Sequence, residues 1–169
     1  MVVELISVGT EILLGNIVNT NAAFLSEKCA QLGLSCYYQT VVGDNPERLE
    51  GTLKTALERS DVVILGGGLG PTQDDLTKEI TAKAFGKTLV EDTAWRERIA
   101  AFFKLRGIEE KDITENNWKQ ALVPEGAIVV ENDNGTAPGL ILEENGKIAI
   151  LLPGPPNELI PMFNEKIYP

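Results

Sequence analysis

The sequence predicts an α/β fold with a mostly parallel sheet that is covered by helices on both faces. Three short apolar runs, at residues 2–8, 36–42 and 62–65, are typical of buried strands. After each run, apolar residues recur at the spacing of a helix face. This alternation of strand and helix favours parallel strands.

The helices of the first half are predicted from apolar stripes and from residues that favour helix starts. Residues 20–33 carry one apolar face. Asn45 and Pro46 are suited to be the N-cap and the first residue of the next helix. Pro71 and Thr72 are expected to begin the helix that follows the third strand.

The second half is predicted to contain helices, a strand and a hairpin. The predicted elements are helices at residues 92–106 and 113–121, strands at 127–130, 139–142 and 147–152, and a helix after residue 156. Asn145-Gly146 lies between the last two strands and favours the tight turn of a hairpin. With 169 residues, the whole chain, residues 1–169, is predicted to form a single domain.

Composition and charge exclude several classes of function. The net charge of −10 disfavours nucleic acids and anionic membranes as partners. The chain has no histidine, so a metal would be held by oxygen ligands, which favour Mg²⁺- or Mn²⁺-like ions. Cys29 and Cys36 are isolated, as in a reduced protein, and the sequence shows neither a signal peptide nor a membrane-spanning run. We therefore expect a cytoplasmic protein.

The segment at residues 61–77, DVVILGGGLGPTQDDLT, holds the strongest chemical signal. Its glycines let backbone N–H groups approach a phosphate closely, and a helix start would add a positive field. Asp74 and Asp75 would repel a bare phosphate, so their presence suits a divalent cation between carboxylate and phosphate. The segment therefore indicates metal-assisted chemistry on a phosphorylated ligand.

A purely structural interpretation of the same segment stays open. Thr72 and Asp75 have the spacing of a capping box, whose side chains only satisfy helix N–H groups. The glycines would then form no more than a tight turn. The standard dinucleotide pattern, begun at Gly66, meets Pro71 where its last glycine belongs, and no P-loop pattern occurs.

Other candidate site residues lie in loops that follow predicted strands, at the end of a parallel sheet where ligands bind. Glu11 follows the first strand and Asp44 the second, so these acids could converge with Asp74 and Asp75. Each of them could equally be a solvated loop or turn residue. The polar loop at residues 132–139 is either a ligand-binding loop or a plain connection.

Five motifs occur together in a fixed order. They are GTEILLG at residues 9–15, VGD at 42–44, GGLGPTQDDLT at 67–77, NGTAPG at 134–139 and LPGPP at 152–156. This set resembles the amino-terminal, molybdopterin-binding-like domain of CinA-type competence/damage-inducible proteins, a domain similar to the MoaB and Mog proteins. The resemblance covers essentially the whole chain and implies a three-layer α/β/α fold. The carboxy-terminal amidase domain of many relatives has no counterpart in this sequence, so we expect no nicotinamide-mononucleotide deamidation.

The resemblance implies a metal-dependent ADP-ribose pyrophosphatase that releases AMP and ribose 5-phosphate. By position, Asp44 and Asp75 resemble the functional, catalytic aspartates of the superfamily, and residues 67–70 resemble its phosphate-binding turn. The expected cofactor is a divalent ion of the Mg, Mn or Co type, with potassium as a further candidate. The predicted metal ligands are Asp44, Asp74, Asp75 and Glu11. The predicted substrate-binding residues are Gly9, Thr10, Glu11, Gly67, Gly68, Leu69, Gly70, Thr72, Asn134, Gly135, Pro153, Gly154 and Pro155.

Two other functions stay open. The first is a molybdopterin-binding or adenylyl-transfer protein of molybdenum cofactor biosynthesis, although Leu69 stands where those proteins commonly have threonine. The second is a non-enzymatic ligand-binding or dimerisation module. The resemblance also implies a homodimer or a higher homo-oligomer. Gly66 and Gln73 depart from the threonine and histidine that many relatives have at these positions.

Overall fold

The centre of the structure is a six-stranded sheet, in a computed structural model that describes all 169 residues. The strands are β1 Val2–Val8, β2 Ser35–Val42, β3 Val62–Gly66, β4 Leu89–Glu91, β5 Leu122–Pro124, β6 Ile128–Val130, β7 Gly139–Glu144 and β8 Lys147–Leu152. The sheet order is β2-β1-β3-β8-β7-β6, in which the first four strands are parallel. Strands β6 and β7 add antiparallel pairings at one edge, and β4 and β5 form a separate antiparallel pair. The predicted mostly parallel sheet is confirmed.

Seven α-helices connect and cover the strands. They are α1 Thr10–Leu13, α2 Thr20–Gln31, α3 Pro46–Arg59, α4 Thr77–Ala84, α5 Thr93–Lys104, α6 Glu115–Trp118 and α7 Pro156–Met162. Short 3-10 turns occupy Glu110–Asp112 and Lys119–Ala121, and a π-helical turn, Phe163–Ile167, follows α7. None of these helices has the length and the apolar character that crossing a membrane requires.

The sheet buries apolar residues on both faces, so the molecule has three layers. Ile64 and Leu65 are neighbours in β3 and point to opposite faces. Leu65 packs with α3 and α4 in one core, and Ile64 packs with α2 and α7 in the other. A smaller cluster around Trp95 and Ile99 joins α5 to the edge of the domain. The predicted α/β/α architecture is therefore confirmed.

Two local predictions are confirmed in detail. Asn45 is the N-cap of α3, since its side-chain oxygen accepts a hydrogen bond from the N–H of Arg48 at 3.0 Å, and Pro46 is the first helical residue. Asn145 and Gly146 have φ values of 52° and 74°, as a two-residue type I′ hairpin turn requires. Sequence signals that act within a few residues thus predict the structure well.

The predicted helix start at Pro71 is wrong, because α4 begins only at Thr77. Residues 67–76 form an irregular loop after β3. The N–H and the hydroxyl of Thr72 both donate to Asp75 Oδ2, and the first of these bonds, which a helix cap would also contain, closes a turn within this loop instead. The hydroxyl of Thr77 then donates to the carbonyl oxygen of Gly67 at 2.8 Å, which ties the helix start to the glycines.

Candidate active site

A cavity of about 650 Å³ lies at the carboxyl ends of the parallel strands β1, β3 and β8. The chain leaves β1 toward β2 on one side, and it returns to β3 on the other side of β1. Connections that diverge in this way open a crevice between the two strand ends. The volume falls within the range of about 300–1,000 Å³ that is usual for small-molecule sites.

Residues 67–70 form a glycine turn beside this cavity. Gly67 and Gly68 have φ values of 102° and 70°, in the left-handed region that glycine adopts without strain. A Cβ atom at Gly67 would overlap the carbonyl oxygen of Val8, and one at Gly68 would overlap the hydroxyl of Thr77. The turn therefore requires glycine at both positions in order to lie this close to β1 and α4.

The glycine turn carries backbone donors that the protein leaves unused. The N–H of Gly67 donates to the carbonyl oxygen of Leu152 at 2.9 Å. In contrast, the N–H groups of Gly68, Leu69 and Gly70 donate to no acceptor within the chain. These three residues line the cavity, so their successive unpaired donors are available to bind an anionic ligand.

Asp44 is held at the cavity by two hydrogen bonds to Thr10. Its Oδ2 accepts a hydrogen bond from the N–H of Thr10 at 3.2 Å, and its own N–H donates to the hydroxyl oxygen of Thr10 at 3.1 Å. Thr10 itself does not line the cavity. Its position suits a role in fixing Asp44 rather than direct contact with a ligand.

Asp75 is held by Thr72 of the same loop and by a hydrogen bond from Lys119. Its Oδ2 accepts from the N–H of Thr72 at 3.0 Å, and a Cβ at Gly70 would lie only 2.6 Å from the same oxygen. The ammonium group of Lys119 donates to the carbonyl oxygens of Thr72, at 3.1 Å, and of Asp75. Lys78, which is buried, donates in turn to the carbonyl oxygen of Lys119 at 2.6 Å. The loop is thus anchored by Lys119, whose backbone is in turn held by Lys78.

All four predicted metal ligands line the same cavity: Glu11, Asp44, Asp74 and Asp75. The carboxylate of Glu11 folds back over Gly9, where an added Cβ would lie 2.6 Å from its Oε1. No three acidic side chains are arranged closely enough to hold a metal by themselves. Carboxylate oxygens nevertheless suit Mg²⁺, which usually takes one or two carboxylates and completes its shell with water and phosphate oxygens.

Glu158 is a fifth acid in the cavity, and the sequence analysis did not identify it. Its Oε2 accepts a hydrogen bond from the side-chain N–H of Asn132 at 2.7 Å. Burial raises the pKa of Glu158 above its usual range, and the bond from Asn132 offsets part of this effect. The only signal in the sequence was an acid placed just after the Pro-Gly-Pro-Pro turn.

The loop at residues 132–139 contributes to the cavity differently from the prediction. Asn134 and Gly135 do not line it, whereas Thr136 and Ala137 do. Asn134 instead donates to the carbonyl oxygen of Asn157 at 2.9 Å, and Gly135 packs so tightly on Glu158 that a Cβ would overlap the carboxylate. These two residues therefore hold the start of α7 in place, and their position gives no support to direct substrate contact.

The remaining predicted substrate-binding residues lie at the cavity. They are Gly9, Glu11, Gly67, Gly68, Leu69, Gly70, Thr72, Pro153, Gly154 and Pro155. Whether they contact a substrate stays a prediction.

Comparison with known proteins agrees with this architecture. The family described as "Probable molybdopterin binding domain" matches residues 4–169. The crystal structure of CinA from Thermoplasma acidophilum superimposes with a TM-score of 0.84 at 39% identity, covering 96% of this chain and 94% of that chain. The chain belongs to the CinA family. A CinA-like protein of Dictyoglomus turgidum is 58% identical over 98% of this chain, and a competence-damage inducible protein of Caldicellulosiruptor saccharolyticus is 55% identical over 100% of it.

The match to the curated relatives covers only part of their length, and a likeness in fold extends to a MoaB protein. The chain spans 40% of the length of these two curated CinA relatives. The molybdopterin biosynthesis enzyme MoaB of Thermus thermophilus superimposes with a TM-score of 0.62 but is only 18% identical, covering 96% of this chain and 86% of that chain. The likeness to MoaB therefore shows a common fold.

Proposed function

We propose that this CinA-type domain binds a nucleoside diphosphate compound and, with a divalent metal ion, hydrolyses ADP-ribose to AMP and ribose 5-phosphate. The observation that carries the proposal is the pairing of two features in one cavity. Free backbone donors at residues 68–70 line the same cavity as the carboxylates of Asp44, Asp74 and Asp75.

The two features need each other chemically. Backbone N–H groups suit phosphate oxygens, but several carboxylates in a chain of net charge −10 would repel a bare diphosphate. A divalent ion held by Asp44 and Asp75 would offset the negative charge that develops on the phosphate oxygens, and Asp74 or Glu11 would bind its water shell or a second ion. Mg²⁺, Mn²⁺ and Co²⁺ suit such oxygen ligands, and potassium could bind beside them.

The chain's own residues supply position and orientation. The glycine turn would hold one phosphate, while Thr10 and Thr72 keep the carboxylates of Asp44 and Asp75 in fixed positions. In the reaction a water molecule attacks one phosphorus atom, and the bond from that phosphorus to the bridging oxygen breaks. The proton of the water passes to a carboxylate or to solvent, since the chain has no histidine.

A substrate screen tests the proposal. The purified chain is incubated with ADP-ribose, NAD, FAD and adenylylated molybdopterin, each with and without Mg²⁺, Mn²⁺ or Co²⁺, and the products are separated by chromatography. We expect AMP and ribose 5-phosphate from ADP-ribose only when a divalent ion is present. Hydrolysis of ADP-ribose that persists in excess chelator, or no turnover with any metal, would contradict the proposal.

A second candidate function has support from the family match. The family is described as a molybdopterin-binding domain, and the match covers residues 4–169. Turnover or tight binding of adenylylated molybdopterin in the same screen, without hydrolysis of ADP-ribose, would favour this function. Binding without turnover of any compound would favour a non-enzymatic ligand-binding module.

A further inference from the structure

The three peptide groups of the glycine turn share one hydrogen-bonding pattern. The carbonyl oxygens of residues 67–69 all accept hydrogen bonds from the protein, while the N–H groups of residues 68–70, which belong to the same three peptides, are free. In a planar trans peptide the C=O and the N–H point in opposite directions. Each peptide is therefore held by its oxygen and leaves its N–H unused on the opposite side.

The residues that hold the three oxygens come from two distant parts of the chain. Thr77, the first residue of α4, donates its hydroxyl to the carbonyl oxygen of Gly67 at 2.8 Å and its N–H to that of Gly68 at 3.2 Å. The third oxygen, that of Leu69, accepts from the side-chain nitrogen of Gln120 at 3.2 Å, and 51 positions separate these two residues. The orientation of the peptide between Leu69 and Gly70 therefore depends on Gln120.

Gln120 is buried at an energetic cost. The side chain is only 3% exposed, and its Oε1 has no hydrogen-bond partner. Its one hydrogen bond is the donation to Leu69, and a carbonyl oxygen can accept only from the amide nitrogen, which fixes the orientation of the amide. An apolar side chain would avoid the unpaired acceptor, so the donor to Leu69 is the feature that requires glutamine at this position.

The backbone that carries Gln120 is fixed on both sides. Gln120 is the middle residue of the 3-10 turn Lys119–Ala121. The ammonium group of Lys78 donates to the carbonyl oxygen of Lys119 at 2.6 Å, and the N–H of Asp92 donates to that of Ala121 at 2.8 Å. The side-chain amide of Gln120 thus reaches the glycine turn from a rigid segment.

We propose that Gln120 is a positioning residue for phosphate binding, which holds the carbonyl oxygen of Leu69 and so keeps the N–H of Gly70 free for a phosphate oxygen. Without this bond the peptide can rotate, because glycine at position 70 tolerates most backbone conformations. A rotated peptide would place a carbonyl oxygen where the N–H lies, and this oxygen would repel a phosphate. The inference deepens the proposed function, because it rests on a phosphate group lying at the glycine turn.

Titration with inorganic pyrophosphate and Mg²⁺, followed by nuclear magnetic resonance of the isotope-labelled chain, tests the inference without any turnover. In the wild type we expect the amide proton resonances of residues 68–70 to move to lower field, since free N–H groups gain an acceptor. The N–H of Gly67 is already bonded to Leu152 and should move little. In Gln120→Met the Gly68 resonance should still follow the titration and that of Gly70 should not, with an affinity about tenfold or more weaker, as for the loss of one hydrogen bond to a charged group.

Gln39→Met is the matched control. Gln39 is exposed and lies outside the cavity, and its side-chain nitrogen donates to the hydroxyl oxygen of Ser26 at 2.6 Å, so this variant also loses one hydrogen bond of a glutamine amide. It should keep the wild-type affinity and the wild-type shifts. The midpoint of thermal unfolding of Gln120→Met should stay within about 4 °C of the wild type, because the unpaired acceptor is lost together with the hydrogen bond.

Three results would overturn the inference. The first is an unchanged pyrophosphate affinity in Gln120→Met, and the second is a Gly70 resonance that still follows the titration in this variant. The third is a wild-type Gly70 resonance that does not respond to pyrophosphate, which decides the matter even if Gln120→Met fails to fold. Failure of ADP-ribose hydrolysis alone contradicts only the proposed function, because the titration needs no reaction.

Discussion

The glycine turn shows how a single residue fixes the path of the backbone beside the cavity. Gly67 combines a φ of 102° with a Cβ direction that points at the carbonyl oxygen of Val8. We expect Gly67→Ala to lower the free energy of unfolding by at least ~2 kcal/mol, since backbone strain and a backbone clash add. Denaturant unfolding of the variant measures this loss.

Gly51→Ala serves as the control for that substitution. Gly51 lies inside α3, and a Cβ there would meet nothing within 4 Å. Alanine favours a helix interior over glycine, so this variant should gain ~0.5–1 kcal/mol of stability. An equal effect of the two substitutions would show that the geometry assigned to Gly67 is wrong.

Lys78 supports the loop at residues 67–76 through its hydrogen bond to Lys119, and its burial makes the stability of the fold depend on pH. Burial, offset by Glu79 and reinforced by Lys119, lowers the pKa of Lys78 to about 8 from 10.5. Between these two values the unfolded chain binds more protons than the folded chain, so stability rises with pH in this window. We expect the wild-type unfolding free energy to rise by ~2 kcal/mol more than that of Lys78→Met between pH 7.5 and 9.5.

The difference between the wild type and Lys78→Met measures the contribution of Lys78 to the pH dependence of stability, because every other titrating group is common to both proteins. Urea unfolding at the two pH values provides the measurement. Parallel pH profiles for the wild type and Lys78→Met would show that the Lys78 ammonium group is not destabilised by burial.

At the scale of elements, α3 begins with a cap whose effect can be measured. The side chain of Asn45 satisfies the N–H of Arg48, and the helix that follows buries Leu49 and Leu53 against the sheet. We expect Asn45→Ala to cost ~1 kcal/mol in thermal or denaturant unfolding, while Asn45→Ser stays close to the wild type. Equal stability of the two variants would contradict a capping role.

The sequence predicts elements whose signals are local. The apolar runs, the cap at Asn45 and the turn at Asn145-Gly146 act within a few residues, and the structure confirms them. It does not predict β4 and β5, which are three residues each and pair across 30 residues of intervening chain. The helix start at Pro71 was wrong because the N–H of Thr72 donates to the carboxylate of Asp75 in this turn as it would in a helix cap, so the spacing of the two residues does not distinguish the two structures.

From the sequence, the candidate site can be predicted only for residues in loops that directly follow strands. Asp44, Asp74 and Asp75 could be named in advance, because parallel strands bring such loops to one edge of the sheet. Glu158 could not, since its position depends on a contact with Asn132 that is distant in sequence. The free donors at residues 68–70 are likewise a property of the folded loop.

At the scale of the whole molecule, we expect association into at least a homodimer. Four large apolar side chains are exposed within residues 13–18, and these are Leu13, Leu14, Ile17 and Val18, of which Val18 is 83% exposed. Clustered apolar exposure of this kind is typical of an interaction surface. Light scattering at micromolar concentrations should give a mass well above 18.4 kDa, and a constant mass of 18.4 kDa would contradict the expectation.

The central claim, metal-dependent hydrolysis at the carboxylates beside the glycine turn, is tested most directly by Asp75→Asn. Asparagine keeps an oxygen that can accept from Thr72, so the unfolding free energy should fall by no more than ~1 kcal/mol. Loss of the charge that a divalent ion requires should lower turnover of ADP-ribose by ~10²-fold or more.

Asp112→Asn is the matched control, because Asp112 is an exposed acid outside the cavity. The measurement is the rate of AMP release from ADP-ribose with saturating Mn²⁺ in the three folded proteins. We expect wild-type turnover in Asp112→Asn and its loss in Asp75→Asn. Unchanged, metal-dependent turnover in Asp75→Asn would contradict it.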